Sequence, residues 1–194
     1  MKKRWIVPLC LALVAGVTGL LSTAEETQKV QKISAAEPRM DNLGCETMEL
    51  NPLHEEEDPN ILKTVEDYYG EQKEKSDFIE SYDNVHVYTK LGKYRGSYVA
   101  FVKYEMKIKD IYTKVPGLGT LYLIPDETGE GFKVDAEAKK SQIRDYVARI
   151  STHEDVRALL QEAGREYTEA VQSDALLQEA LLDLKNAYEN STGS

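Results

Sequence analysis

Residues 98–110, YVAFVKYEMKIKD, alternate in polarity almost without a break. Tyr98, Ala100, Val102, Tyr104, Met106 and Ile108 form one parity set, and Val99, Phe101, Lys103, Glu105, Lys107 and Lys109 the other. Successive side chains of a strand leave on opposite faces. The stretch therefore predicts one long strand, with the first set on a dry face and the second on a mostly wet one. A strand of this length needs partners, so the chain is constrained to build a sheet. Residues 85–89 are rich in β-formers, 92–96 (GKYRG) form a turn, and the long strand runs to about Ile111. Residues 115–119 (VPGLG) are expected to break it, 120–124 (TLYLI) to form the next strand, 126–131 a turn and 132–134 a last short strand. Close spacing with glycine-bearing turns argues for an antiparallel meander.

Helices flank this block. Asp58 followed by Pro59 is a cap with proline at the first helical position. Ile61, Leu62, Val65, Tyr68 and Tyr69 then fall on one helical face, with Gly70 as a weak point. Phe78, Ile79 and Tyr82 predict a further helical turn or a bend into the sheet. Beyond Ala136 the period is helical. Ile143, Tyr146, Val147 and Ile150 make one stripe, and residues 151–154 (STHE) match a capping box for the next helix. Ser173 and Asp174 cap a final leucine-rich segment, and residues 190–194 read as a polar tail.

The N-terminus reads as an export signal. Lys2, Lys3 and Arg4 precede an apolar run over 6–21, and Ser22-Thr23-Ala24 offers small residues for cleavage. Sixteen residues reach only about 24 Å as helix, short of a hydrocarbon core of about 30 Å, so cleavage is favoured over a permanent anchor. Residues 25–58 show no sustained period and end in an acidic run, as expected of a flexible acidic linker. With Cys10 in the signal, Cys45 is alone in the mature chain and no intramolecular bridge is expected. The formal net charge of -10 over 194 residues disfavours nucleic acid and anionic membrane surfaces as partners.

Candidate chemistry is sparse. His54, His86 and His153 are scattered, without metal-ligand spacing, so no metal site is expected. No GxSxG is present, and Cys45 with His54 falls in the expected linker. The glycine-bearing turns join strand to strand, which does not support a phosphate loop. The dry parity set carries no carboxylate along its middle for general acid–base chemistry. No catalytic residue and no cofactor are assigned. Tyr98, Tyr104 and Met106 share the dry parity, and with Tyr122 on a neighbouring strand they are the candidate lining of a pocket for a small organic molecule or a peptide. The alternative is that they seal an ordinary core.

Residues 81–89 (SYDNVHVYT), 96–99 (GSYV), 104–108 (YEMKI) and 116–122 (PGLGTLY) resemble the NTF2-like extracellular domains of secreted clostridial proteins. The resemblance covers roughly residues 59–184. It implies an α+β fold, with a curved antiparallel sheet packed on helices in a cone, here with a helical C-terminal extension. It also implies a concave pocket and frequent dimerisation through the sheet. The expected organisation is a signal peptide over 1–24, a linker over 25–58, the NTF2-like domain over 59–187 and a tail over 188–194. The expected function is a non-enzymatic binding or interaction module, secreted or at the cell surface, with a small molecule, a peptide or a cell-surface partner as ligand. The alternatives are an isomerase- or dehydratase-type enzyme in the cone pocket, or a structural homodimer with Val99 and Phe101 as contact patch. A membrane is expected to be met only through an uncleaved signal.

Overall fold

A computed structural model describes residues 40–135 and 141–192. The expected signal peptide and the linker up to residue 39 lie outside the described residues. Strand β1 is His54–Glu55, helix α1 Pro59–Glu74, β2 Ile79–Leu91, β3 Tyr98–Ile108, β4 Val115–Pro125 and β5 Phe132–Val134; helices α2 Ser141–Ile150, α3 Glu154–Ser173 and α4 Ala175–Thr192 follow. The fold is α+β. Its open five-stranded sheet has the order β1-β2-β3-β4-β5, every pair antiparallel.

Local chemistry sets the helix starts. Asp58 accepts a hydrogen bond from the Asn60 N–H at 2.8 Å, and Pro59 opens α1. Asp174 likewise accepts from the N–H groups of Leu176 and Leu177 at the start of α4. The expected capping box before α3 does not form. Ser151 and Thr152 turn their hydroxyls back to the Val147 and Arg149 carbonyls of α2, leaving His153 as an N-cap whose side chain makes no capping bond to the helix. Helix α4 runs to Thr192, through most of the expected polar tail, because an established helix propagates through polar residues.

The long strand is covered on both sides, which corrects the expectation of a wet face. Val99 and Phe101 are buried with Tyr122, Tyr146, Ile150 and Val156 beneath α2 and α3. Lys103 closes that side through ion pairs to Glu162 (2.7 Å) and Glu166 (2.9 Å) of α3. A copy of the chain therefore cannot dock on Val99 and Phe101, which are fully buried by the protein's own helices. Ala100 and Val102 pack beneath Ile61, Val65 and Tyr69 of α1. Further along the same parity set, Met106 and Ile108 pack with Leu177 of α4. This parity set is thus covered in two pieces, by α1 at one end and α4 at the other.

Two strands start earlier than the sequence patterns indicate. Residues 78–82 lead directly into β2, which pairs with β3 from Ile79 onward. A register shift between Asp83 and His86 places one extra residue in β2, with Asn84 at φ 48. The bulge resets the parity, so Tyr82 (opposite Met106) and Val87 (opposite Val102) face the same side although they are five residues apart. The expected break at 115–119 is instead the first half of β4. Pro116 is tolerated there because β5 pairs only with Leu123, Ile124 and Pro125, leaving the outer side of β4 without a ladder at that point.

Residues 40–58 are part of the folded unit and not linker. The Asn42 side chain donates to the carbonyls of Gly92 and Tyr94, both at 2.9 Å. Asn51 accepts from the Leu91 N–H (2.7 Å) and donates to the Leu91 carbonyl (3.0 Å), copying a strand pairing with one side chain. These bonds come from isolated asparagines, so the segment needs no period to be held.

Candidate functional site

Four tyrosine rings meet between α1 and the sheet. Tyr69 lies 4.9 Å from Tyr82 and 5.1 Å from Tyr104, Tyr82 lies 5.1 Å from Tyr104, and Tyr68 lies 5.3 Å from Tyr69, all centroid to centroid. These are the tilted and edge-on distances at which aromatic pairs attract. The rings reach the sheet because β4 has no side chain there. A Cβ on Gly119 would lie 2.1 Å from the Tyr69 hydroxyl, and one on Gly117 2.6 Å from the Tyr104 ring. Burial, then the neighbouring Tyr104 and Tyr68, pushes the Tyr82 phenol well above its ordinary value, so it remains a protonated donor.

Beside this cluster a groove of about 450 Å³ opens between α1 and β2. On α1 it is lined by Leu62, Glu66, Tyr69, Gly70 and Lys73, residues that recur on one helical face over about 16 Å. On β2 it is lined by Ser81, Tyr82, Val85 and Val87. The bulge in β2 is what gives Tyr82 and Val87 the same side. Leu62 and Val85 remain 37% and 39% exposed at its mouth. Gly70 stands inside a helix, where glycine costs about 1 kcal/mol relative to alanine, and a Cβ there would meet nothing within 4 Å. Packing within the chain therefore does not require the glycine. Gly70→Ala is expected to raise stability by about 0.5–1 kcal/mol, read as a higher urea midpoint at unchanged slope.

The four residues read from sequence as a pocket lining are separated. Tyr98 stacks edge-on against Phe132 (5.5 Å) at one end of β3. Tyr122 is on the opposite face of the sheet, opposite Val99, with its hydroxyl 2.8 Å from Ser97 Oγ. Only Tyr104 and Met106 come together, around a cavity of about 40 Å³ with Val115, Tyr167 and Leu181. That is space for about one water and no organic ligand. The α1–β2 groove was missed because its lining depends on the parity reset at Asn84. The available signal was an Asp-Asn pair inside a run of β-formers, residue types that tolerate positive φ.

A second polar constellation lies at the other end of β2. Lys90, with no exposed side-chain surface, donates to Asp155 Oδ2 (2.7 Å) and to the Asn51 carbonyl (2.6 Å). Its Nζ also lies 3.3 Å from His153 Nδ1, and His153 Nε2 lies 3.0 Å from the Glu46 carbonyl. An ammonium only donates and a carbonyl only accepts, so Nδ1 accepts and Nε2 carries the hydrogen. Asp155 accepts in addition from the Leu53 and Val156 N–H groups. Burial pushes its carboxyl up, but the bonds from Lys90, Leu53 and Val156 outweigh this and hold it below the ordinary carboxylate range. Cys45 is buried beside this network, its carbonyl bonded by Asn51, and burial pushes its thiol up. A desolvated thiol of raised pKa is a poor nucleophile, and His54 lies exposed in β1, so these two form no catalytic pair. The constellation fastens residues 45–53 to β2 and α3.

Among the described residues, no group of three or more His, Cys, Asp or Glu side chains is placed to hold a metal ion, and no helix is long and apolar enough to cross a membrane. Comparison with family models, curated proteins and solved structures finds no match to this chain.

Proposed function

We propose that the protein is an exported, non-enzymatic binding module whose ligand site is the groove between α1 and β2. The observation that carries this reading is the groove itself. It is concave, walled by apolar and tyrosine side chains, and holds two charged groups, Glu66 and Lys73, to orient a ligand. Acid–base chemistry on the isomerase pattern needs a carboxylate shielded from water beside a tyrosine, whereas the groove's carboxylate, Glu66, is exposed. Export is supported by the basic, apolar and small-residue order of residues 2–24. We further propose that the sheet is an NTF2-like variant, a reading supported by the long antiparallel meander and the helix laid against one face. In this variant α2 and α3 occupy the face that the resemblance assigns to dimerisation.

A fragment titration followed by amide chemical shifts tests the proposal. Small aromatic and aliphatic fragments are expected to shift residues 62–73 and 81–87 together. Shifts confined to other parts of the molecule would refute the assignment of the site. Turnover in isomerase or dehydratase assays would refute the non-enzymatic reading.

A further inference from the structure

We infer that the groove takes an extended, basic peptide that adds as a strand to the open edge of β2, an inference that rests on the groove being the ligand site. The edge is the first observation. β3 pairs along β2 from Ile79 to Leu91, but β1 pairs only with Tyr88 and Thr89, and the Glu56 N–H bonds the Val87 carbonyl. Among the described residues, no strand and no backbone group bonds the outer edge of β2 from Glu80 to His86. Unpaired strand edges are templates for another chain. Seven residues of edge span at most about 23 Å at 3.3 Å each, enough to run the whole length of the α1 stripe of about 16 Å that lines the groove.

A helix beside an open strand edge is the geometry of strand addition. Main-chain bonds supply the affinity, and alternate side chains enter the groove. Leu62 and Val85, apolar and partly exposed at the mouth, would be covered by those side chains. Gly70 leaves the space that a ligand side chain would fill. The bulge between Asp83 and His86 keeps the pairable run short, which fits one peptide better than edge-to-edge stacking of sheets.

Charge selects the class of peptide. Asp67 and Glu71 are paired with Lys63 and Lys75 on α1, and Asp83 with Lys114. Within the groove Glu66 stands against Lys73, and the exposed Glu74 and Glu80, chain neighbours of the lining residues Lys73 and Ser81, add negative charge beside it with no ion pair among the described residues. With a net charge of -10 on the chain as a whole, the field at the groove favours a cationic partner.

The test uses acetylated, amidated eight-residue peptides of alternating valine and lysine, titrated into the intact protein and followed by amide shifts. The Val/Lys peptide is expected to shift residues 80–87 and to bind at least ten-fold more tightly than the Val/Glu peptide. N-methylation of alternate residues discriminates the mode, because only every second amide of an added strand faces its neighbour. One methylation pattern is expected to weaken binding ten-fold or more, and the complementary pattern to leave it nearly unchanged. Equal binding of both patterns would overturn strand addition, and a preference for the Val/Glu peptide would overturn the charge assignment. If fragments bind the groove and neither peptide does, this inference fails while the binding-site reading stands. If neither fragments nor peptides shift the groove residues, both fail.

Discussion

Asp155→Ala is expected to destabilise the protein by about 3–5 kcal/mol, because it leaves the fully buried Lys90 without its carboxylate. Breaking one side of a buried pair costs far more than the net contribution of the pair, since the remaining charge is desolvated and uncompensated. The Asn51 carbonyl and His153 Nδ1 still accept from Lys90, but neither carries a negative charge. The Leu53 N–H also loses its acceptor, so residues 45–53 are expected to loosen first, visible as faster hydrogen exchange there. Replacing the pair together, Lys90→Met with Asp155→Leu, should cost clearly less than Asp155→Ala alone. If the double variant is as damaged as the single one, the charge is not the source of the loss.

The same residue sets a pH dependence. The Asp155 carboxyl lies below its unfolded range in the folded chain. The folded state therefore binds its proton less readily than the unfolded state. The stability it contributes is fully present above the unfolded value of about 3.9, and is lost as pH falls through the lower folded value. Asp155→Asn should accordingly lose stability at neutral pH and approach the wild type as pH drops below about 4.

Gly119→Ala is the second large effect, expected to cost about 2 kcal/mol through overpacking. Neither Gly117 nor Gly119 has a positive φ, so the backbone does not demand glycine at either position. The cost is steric and has one address: the new methyl meets the Tyr69 hydroxyl at 2.1 Å, while the next atom, Tyr69 Cζ, is at 3.5 Å, an ordinary contact. Tyr69→Phe removes that hydroxyl and should restore most of the stability of Gly119→Ala. The equivalent rescue should fail at Gly117, where the methyl meets ring carbons of Tyr104 at 2.6 and 2.7 Å as well as its hydroxyl at 2.8 Å. Thermal unfolding of the two double variants checks this contrast. Rescue at both positions would show that the Tyr104 ring is less tightly seated than the structure places it, and rescue at neither would show that the Tyr69 hydroxyl is not the source of the cost at Gly119.

The legible part of the fold was its antiparallel meander, the cap of α1 and the amphipathic stripes of α2 and α3. Each rests on a local period or a cap that needs only its own residues. The covering of both faces of β3 was written in Val99-Ala100-Phe101-Val102, four apolar residues in a row, which is the pattern of a strand buried on both sides. Alternation along the whole strand obscured it, because Lys103, Glu105 and Lys107 have the polarity of a wet face although Lys103 is paired with α3. The VPGLG segment carries proline and glycine, which ordinarily end strands. Here the glycines admit two tyrosine rings, a requirement set by residues on α1 and β3. The fastening of residues 40–58 depends on Asn51, Lys90 and Asp155, which no sequence period links. The groove was the least legible feature, since it needs both the bulge at Asn84 and the placement of α1 against β2. Only Tyr104 and Met106 of the expected lining share a cavity, and it is too small for a ligand.

The assignment of the α1–β2 groove as the ligand site is tested most directly by Gly70→Leu. Leucine is a better helix former than glycine, and its side chain would project from a position that lines the groove and has open space around its Cβ. Thermal unfolding and a titration with the Val/Lys peptide, run side by side on the wild type and the variant, separate folding from binding. The predicted result is a melting temperature equal to or above that of the wild type, together with at least a ten-fold loss of affinity. Undiminished affinity in a folded variant would contradict the assignment.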